Sequence, residues 1–110
     1  MGTSNAKLLQ GTLDMLILKA LMHGDMHGHG IAKRIQQLAS DALTVEEGSL
    51  YPALQRLTNQ GWVKATWGTS EKNQRARFYR LTRSGRKQMA VEEENWERLS
   101  VAVTRVLRSV

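Results

Sequence analysis

Residues 48–57 have the spacing of a helix with one apolar face and one hydrogen-bonding face. Leu50, Leu54 and Leu57 recur at helical intervals, so they line one side of a helix and face a core. Polar or small side chains occupy most other positions, and Gly61 is placed to end the helix. Such a helix must pack on other elements through its leucines, while its opposite face stays open to solvent or to a partner.

Two more helices precede this segment. Apolar spacing predicts a first helix over residues 8–22 and a second over residues 29–39. Ile31, Ile35 and Leu38 are expected to point inward from the second helix. The stretch between the two helices contains glycine and predicts a turn.

The third helix is expected to run from residue 46 or 47 to residue 59, with a proline inside it. Pro52 removes one backbone donor, but the carbonyl that its ring crowds lies in the first turn, where a distortion is easily absorbed. We therefore expect a continuous helix. Residues 43–45 favour a short strand before it, and the spacing of Thr44 and Glu47 matches a capping box.

A hairpin and a long helix follow. Strands are predicted over residues 62–67 and 77–81, joined by the polar stretch 68–76. Thr82 is suited to cap a last helix that runs over residues 83–108.

This order of elements predicts a winged helix-turn-helix, a mainly helical α+β fold with a two-stranded wing. We assign residues 1–82 to a winged helix-turn-helix DNA-binding domain and residues 83–110 to a C-terminal dimerisation helix.

Positive charge is concentrated in the hairpin region. The chain has a net charge of +6, and residues 72–87 hold seven Lys and Arg and no acidic residue. A polar helix face beside a positive hairpin suits a polyanion with readable edges, which is duplex DNA. We therefore expect a sequence-specific DNA-binding protein.

Several other classes do not fit the chain. It has no cysteine, which excludes disulfides and cysteine-bound zinc. His23, His27 and His29 match no standard zinc spacing, so no metal or cofactor is expected. No nucleophile–base pair or carboxylate dyad is evident, so an enzyme is not expected. The longest apolar-rich run, residues 13–22, is too short for a bilayer, and a cytoplasmic protein without membrane contact is expected.

The polar face of the third helix carries groups that read DNA. Hydroxyl and amide groups bond base edges or phosphates, and a proline ring contacts a thymine methyl. We expect these roles for Ser49, Tyr51, Pro52 and Gln55. Tyr51 has two alternatives, because its hydroxyl can contact a phosphate or its ring can pack half-buried on the second helix. Lys33 and Arg56 are either phosphate clamps or ordinary solvated charges.

The wing carries a second set of candidates. A run of charge is often only a solvated face, but this one lies beside the predicted recognition helix and contains no acid. We expect five residues to follow the DNA backbone or enter the minor groove, namely Lys72, Asn73, Gln74, Arg75 and Arg77.

An apolar stripe with the spacing of a coiled-coil seam runs along the last helix. Because a compact winged helix leaves little to cover this stripe, we expect a homodimer, whose symmetry matches palindromic DNA. The alternative is that the helix folds back on the first helix of the same subunit. Trp96 either closes the interface or stacks a flat aromatic ligand, with Glu93 and Glu97 nearby for a cationic one. The stripe comprises Met89, Trp96, Leu99, Val103, Val106 and Val110.

Four segments of the chain together form a recognisable pattern, namely residues 11–18, 27–35, 48–54 and 78–82. With these segments in register, the chain resembles the PadR family of bacterial transcriptional repressors along most of its length. His29 stands where that family often has tyrosine, and Glu46 stands at a helix entry where serine or asparagine would cap better.

The short C-terminal helix resembles the smaller PadR subfamily, and this implies dimerisation through that helix and the first one. Leu9 and Leu13 then join the expected interface. The resemblance implies a bacterial repressor that binds an inverted repeat in a promoter and lies on the nucleoid when bound. Some members of the subfamily bind planar drugs between paired tryptophans, at a place equivalent to Trp96. The alternative is a winged helix that binds another protein and not specific DNA.

Overall fold

The computed structural model describes residues 10–110, which form four helices and a three-stranded antiparallel sheet. This arrangement confirms the predicted α+β winged helix-turn-helix. The predicted start of the first helix, at residue 8, lies outside the described residues. None of the described helices has the length and apolar character to cross a membrane. The elements are α1 (Gln10–Leu21), β1 (Met26–His27), α2 (Gly28–Leu38), α3 (Glu47–Asn59), β2 (Val63–Thr69), β3 (Arg75–Leu81) and α4 (Arg83–Leu107).

Strand β3 is the centre of the sheet, with β1 and β2 on either side of it. Strand β1 pairs Met26 with Tyr79 and His27 with Phe78. The sequence predicted only a turn here, because two residues are too few to show an alternating pattern.

The wing hairpin is longer than predicted. Its strands extend to Thr69 and Arg75, so a five-residue loop joins them where a longer polar loop was expected. Asn73 adopts a φ of 59°, in the left-handed region that asparagine tolerates. The backbone N–H of Ser70 donates to the carbonyl of Gln74 at 2.7 Å and closes the loop.

The core lies between α1, α2, α3 and the inner face of the sheet. The three leucines of α3 that the sequence placed inside are buried there, as are Ile31 and Ile35. Leu38 was also expected inside, but it is 58% exposed. It is the last residue of α2, and the chain turns away through Ser40 and Asp41, both at positive φ.

Helix α3 begins at Glu47 and continues through Pro52 without a break, as predicted. The residue before it, Glu46, is the N-cap, and its side chain makes no capping hydrogen bond. The predicted capping box would place the N-cap at Thr44, two residues before the one observed. The predicted strand before α3 is also absent from this described segment, where Leu43 alone makes an isolated β-bridge.

Helix α4 starts in the core and then leaves it. The Thr82 hydroxyl accepts the N–H of Gly85 at 3.0 Å, which confirms the predicted cap. A side chain on Gly85 would collide with the carbonyl oxygen of Trp62, so α4 approaches this backbone closely. Met89 is buried, but no later side chain of α4 is. The first two turns therefore pack with the winged-helix body, and the rest of α4 projects from it.

Candidate nucleic-acid interface

The outward face of α3 gathers the side chains that the sequence assigned to base reading. All of them are exposed, and they lie opposite the buried leucines of the same helix. The amide of Gln55 donates to Oδ1 of Asn59 at 2.9 Å, so this side chain lies along the helix surface. The face is therefore open and polar, and its members are Ser49, Tyr51, Pro52 and Gln55.

Tyr51 packs on α2 and also remains accessible. A Cβ on Gly28 would lie 2.9 Å from Cε1 and 3.1 Å from Oη of Tyr51, so the ring rests directly on the α2 backbone. The residue is still 47% exposed. Partial burial, then the charge of Glu47 and then Tyr79, raise the pKa of Tyr51 above its ordinary value of 10.0. The hydroxyl therefore stays protonated near neutral pH and is available as a donor.

A groove of about 810 Å³ lies between Tyr51, the first turn of α2 and the inner face of the wing. It brings together groups from three separate segments of the chain. Four cationic side chains and a single carboxylate, that of Glu71, line it. This balance makes the groove electropositive. Its cationic residues are Lys33, Lys72, Arg75 and Arg77.

Trp67 lies on the side of the groove that the wing forms, and the sequence did not predict it as a site residue. It pairs with Arg77 across the hairpin, and Arg75, which pairs with Thr69, lies two residues from Arg77 on the same face. The Cζ atoms of Arg75 and Arg77 are 4.5 and 5.9 Å from the centroid of the indole ring. These distances are those of cation–π contacts. The register of the hairpin brings Trp67 beside Arg75 and Arg77. Because the sequence alone did not specify this register, it did not predict the contacts.

The two predicted phosphate clamps have different surroundings. Lys33 is exposed on α2 and lines the groove. The guanidinium of Arg56 is bound by Asp14 of α1, with Nη2 2.7 Å from Oδ1. Arg56 is therefore not a freely solvated charge, and a phosphate would have to compete with Asp14 for it.

His27 holds the first turn of α2 in place. Its Nδ1 accepts the backbone N–H of Gly30 at 3.0 Å, and its ring meets the ring of Phe78 edge to face at 5.8 Å. His27 is therefore the N-cap of α2. Within residues 10–110, no group of three or more His, Asp or Glu side chains is placed to hold a metal ion.

The sequence profile of the PadR-like family of transcriptional regulators matches residues 17–91 of the chain. The chain belongs to this family. A solved transcriptional regulator from Clostridium thermocellum is 31% identical, with a TM-score of 0.79 over 87% of this chain and 93% of that one. A PadR family regulator from Eggerthella lenta is 29% identical, with a TM-score of 0.76 over 92% and 86%. An uncharacterized protein of Lysinibacillus sphaericus is 25% identical over 81% of this chain and 82% of its own length.

These relationships make the protein a transcriptional regulator and not an enzyme, as the sequence predicted. The PadR-like match runs from the middle of α1 to Val91, close to the point where α4 leaves the core. The groove and the outward face of α3 both lie inside the matched region.

The residues of this PadR-like protein that were expected at a dimer interface or near a ligand differ in their exposure. Leu13 and Met89 are buried in the core of their own protomer. Leu9 lies outside the described residues. Glu93 and Glu97, the charges expected near a ligand, are exposed. The stripe residues Trp96, Leu99, Val103 and Val106 are 45–71% exposed.

Proposed function

We propose that this PadR-like regulator binds a promoter inverted repeat as a homodimer and represses transcription. Helix α3 enters the major groove, and the wing follows the backbone beside it. The observation that carries the proposal is the groove in which Tyr51 of α3 and the cationic inner face of the wing share one open surface.

The two walls of the groove suit the two tasks of DNA recognition. Arginine and lysine on the wing neutralise phosphates, which fixes position and supplies salt-dependent affinity. Hydroxyl and amide groups on α3 meet base edges, which supply sequence preference. Tyr51 of α3 lines the same groove as Arg75 and Arg77 of the wing, so a single duplex can reach both elements together.

The projecting part of α4 is the proposed dimer element. Its apolar stripe is exposed in the single chain, and a contiguous apolar surface of this kind marks an association site. A second copy packed on the stripe by a twofold axis covers it and presents two α3 helices. The two half-sites are then separated by about one helical turn of DNA, roughly 34 Å, or by a multiple of it.

Trp96 is the proposed contact for an effector. It lies on the stripe with Glu93 and Glu97 nearby, a combination that suits a planar aromatic cation between the two subunits. Such a ligand releases DNA only if it binds more tightly to the arrangement of subunits that does not fit the operator.

Fluorescence anisotropy at near-physiological salt tests the proposal. The probe is a duplex from immediately upstream of the protein's own gene, compared with a scrambled duplex of the same composition. We expect a strong preference for the upstream duplex with two protomers bound per site. Equal and weak binding to both duplexes would leave only the electrostatic attraction, and would favour a winged helix that binds another protein.

A further inference from the structure

The wing hairpin has two different faces. Alternate residues of a strand share a face, so Trp67 lies on the same face as the buried Val63 of β2, and Arg77 on the same face as the buried Tyr79 of β3. We call this face the inner face of the wing. Arg80, which precedes the last residue of β3, lies on the opposite face. Near the body of the protein the inner face is therefore part of the packed core. Further along the hairpin it carries an exposed aromatic ring beside two arginines.

Among the described residues, no carboxylate forms an ion pair with Arg75 or Arg77. The ion pairs among residues 10–110 are Arg56–Asp14 and Arg98–Glu94. Trp67 is the group that contacts the guanidinium groups of Arg75 and Arg77, and it is itself 60% exposed. An indole this exposed contributes little to the core of its own domain.

A cation–π contact leaves a guanidinium able to bind phosphate. The group carries five N–H donors and no acceptor. An indole ring offers these donors no oxygen acceptor, so they remain available to a phosphate. Arginine that is already held also loses less side-chain freedom when DNA arrives, which lowers the entropic cost of the contact.

We propose that Trp67 is the positioning residue of the wing, and that its ring holds Arg75 and Arg77 as a preformed pair of phosphate-binding cations. This inference rests on the proposed DNA-binding function. It identifies Trp67 as the residue that holds two cations of the interface in place before DNA binds.

The test compares Trp67→Leu, which removes the aromatic ring, with Trp67→Phe, which keeps one. Thr66→Ala, at the adjacent exposed position on the other face of β2, is the matched control. Binding is measured by anisotropy at low salt with a fluorescein-labelled duplex of mixed sequence, about three helical turns long. We expect Trp67→Leu to weaken binding between about threefold and tenfold, and Trp67→Phe to retain most of the affinity.

A double-mutant cycle separates positioning from a general effect on the wing. In the Arg75→Ala/Arg77→Ala background, Trp67→Leu is expected to cause no further loss. Arg75→Lys/Arg77→Lys keeps both charges but removes the planar groups, and is expected to weaken binding as much as Trp67→Leu does. Thermal unfolding of each variant confirms that the comparison is between folded proteins.

The outcomes are distinguishable. An undiminished affinity for Trp67→Leu, an equal loss for Trp67→Phe, or an additive loss in the background lacking both arginines overturns the positioning role, while DNA binding itself stands. Failure of the unaltered protein to bind any duplex instead overturns the proposed function, and the inference falls with it.

Discussion

Arg56 of α3 and Asp14 of α1 form a two-point ion pair, with Nη2 2.7 Å from Oδ1 and Nε 3.4 Å from Oδ2. Their side chains are 34% and 22% exposed, so the pair lies at the edge of the helix packing. It joins α3, the proposed recognition helix, to α1 beside the buried leucines of the same helix.

Removing either partner of this pair should loosen the helix without unfolding the protein. We expect Asp14→Ala and Arg56→Ala each to lower the free energy of unfolding by about 0.5–1 kcal/mol. The double variant should lose less than the sum, because the two changes remove the same contact. Urea unfolding measures these values.

The same two variants test whether Arg56 clamps a phosphate. If it does, Asp14→Ala will raise the affinity for DNA, because the guanidinium is released, while Arg56→Ala will lower it.

Two arginines of β3 provide a matched test of the docking face. Arg77→Ala removes a charge from the groove side, and Arg80→Ala removes the same charge from the other side. We expect Arg77→Ala to weaken binding to all duplexes and to reduce the slope of log K against log salt by about 0.9. Arg80→Ala should change the slope less. Equal effects would mean that net charge alone, and not the groove, attracts DNA.

The Tyr51 hydroxyl should stay protonated to an unusually high pH. Tyr79→Phe leaves Tyr51 as the one tyrosine of the chain and keeps the two larger causes of its raised pKa, partial burial and Glu47. The stabilising contribution of the neutral phenol is complete below the unfolded pKa of about 10 and is lost as the pH rises through the higher folded value. Phenolate absorbance should therefore show Tyr51 titrating above pH 10.0 in the folded protein. Titration at or below this value would contradict the packing of the ring on α2.

The close approach of Tyr51 to Gly28 makes that glycine sensitive to substitution. Gly28→Ala places a methyl group 2.9 Å from the ring, and we expect the free energy of unfolding to fall by about 1–3 kcal/mol. The loss should shrink in a Tyr51→Ala background, where the obstacle is gone. Gly48→Ala in α3 is the matched control, because its new Cβ meets nothing within 4 Å and should stabilise the helix by up to about 1 kcal/mol. Thermal or urea unfolding distinguishes the two sites.

A charge placed on the α4 stripe should separate the proposed dimer. Val103→Glu puts a carboxylate on the stripe, whereas Thr104→Glu puts the same charge one residue further, off the stripe. We expect light scattering to show a monomer for Val103→Glu and a dimer for the unaltered chain and for Thr104→Glu. Because a monomer holds only one recognition helix, Val103→Glu should also reduce the preference for the inverted repeat. A dimer that survives Val103→Glu would place the interface elsewhere.

Local patterns were enough to predict most elements of the fold. The leucine spacing of α3, the hydroxyl of Thr82 and the tolerance of Pro52 near a helix start all act within one or two helical turns. Elements too short to show a period were not predictable, and β1 is one of them. Leu38 was placed wrongly because its burial depends on where the chain goes after α2 and not on its own helix.

The sequence by itself determined the family, the order of the elements and the set of polar and cationic residues available to meet DNA. Tertiary structure alone decided which of those residues are brought together. Asp14 and Arg56 are 42 residues apart in the chain. The cation–π contacts of Trp67 with Arg75 and Arg77 depend on hairpin register, and Tyr51 meets Gly28 only because α3 crosses the start of α2. Helical and strand periods are local properties of the chain, whereas register and the packing of one helix on another depend on every surface that the core buries at once.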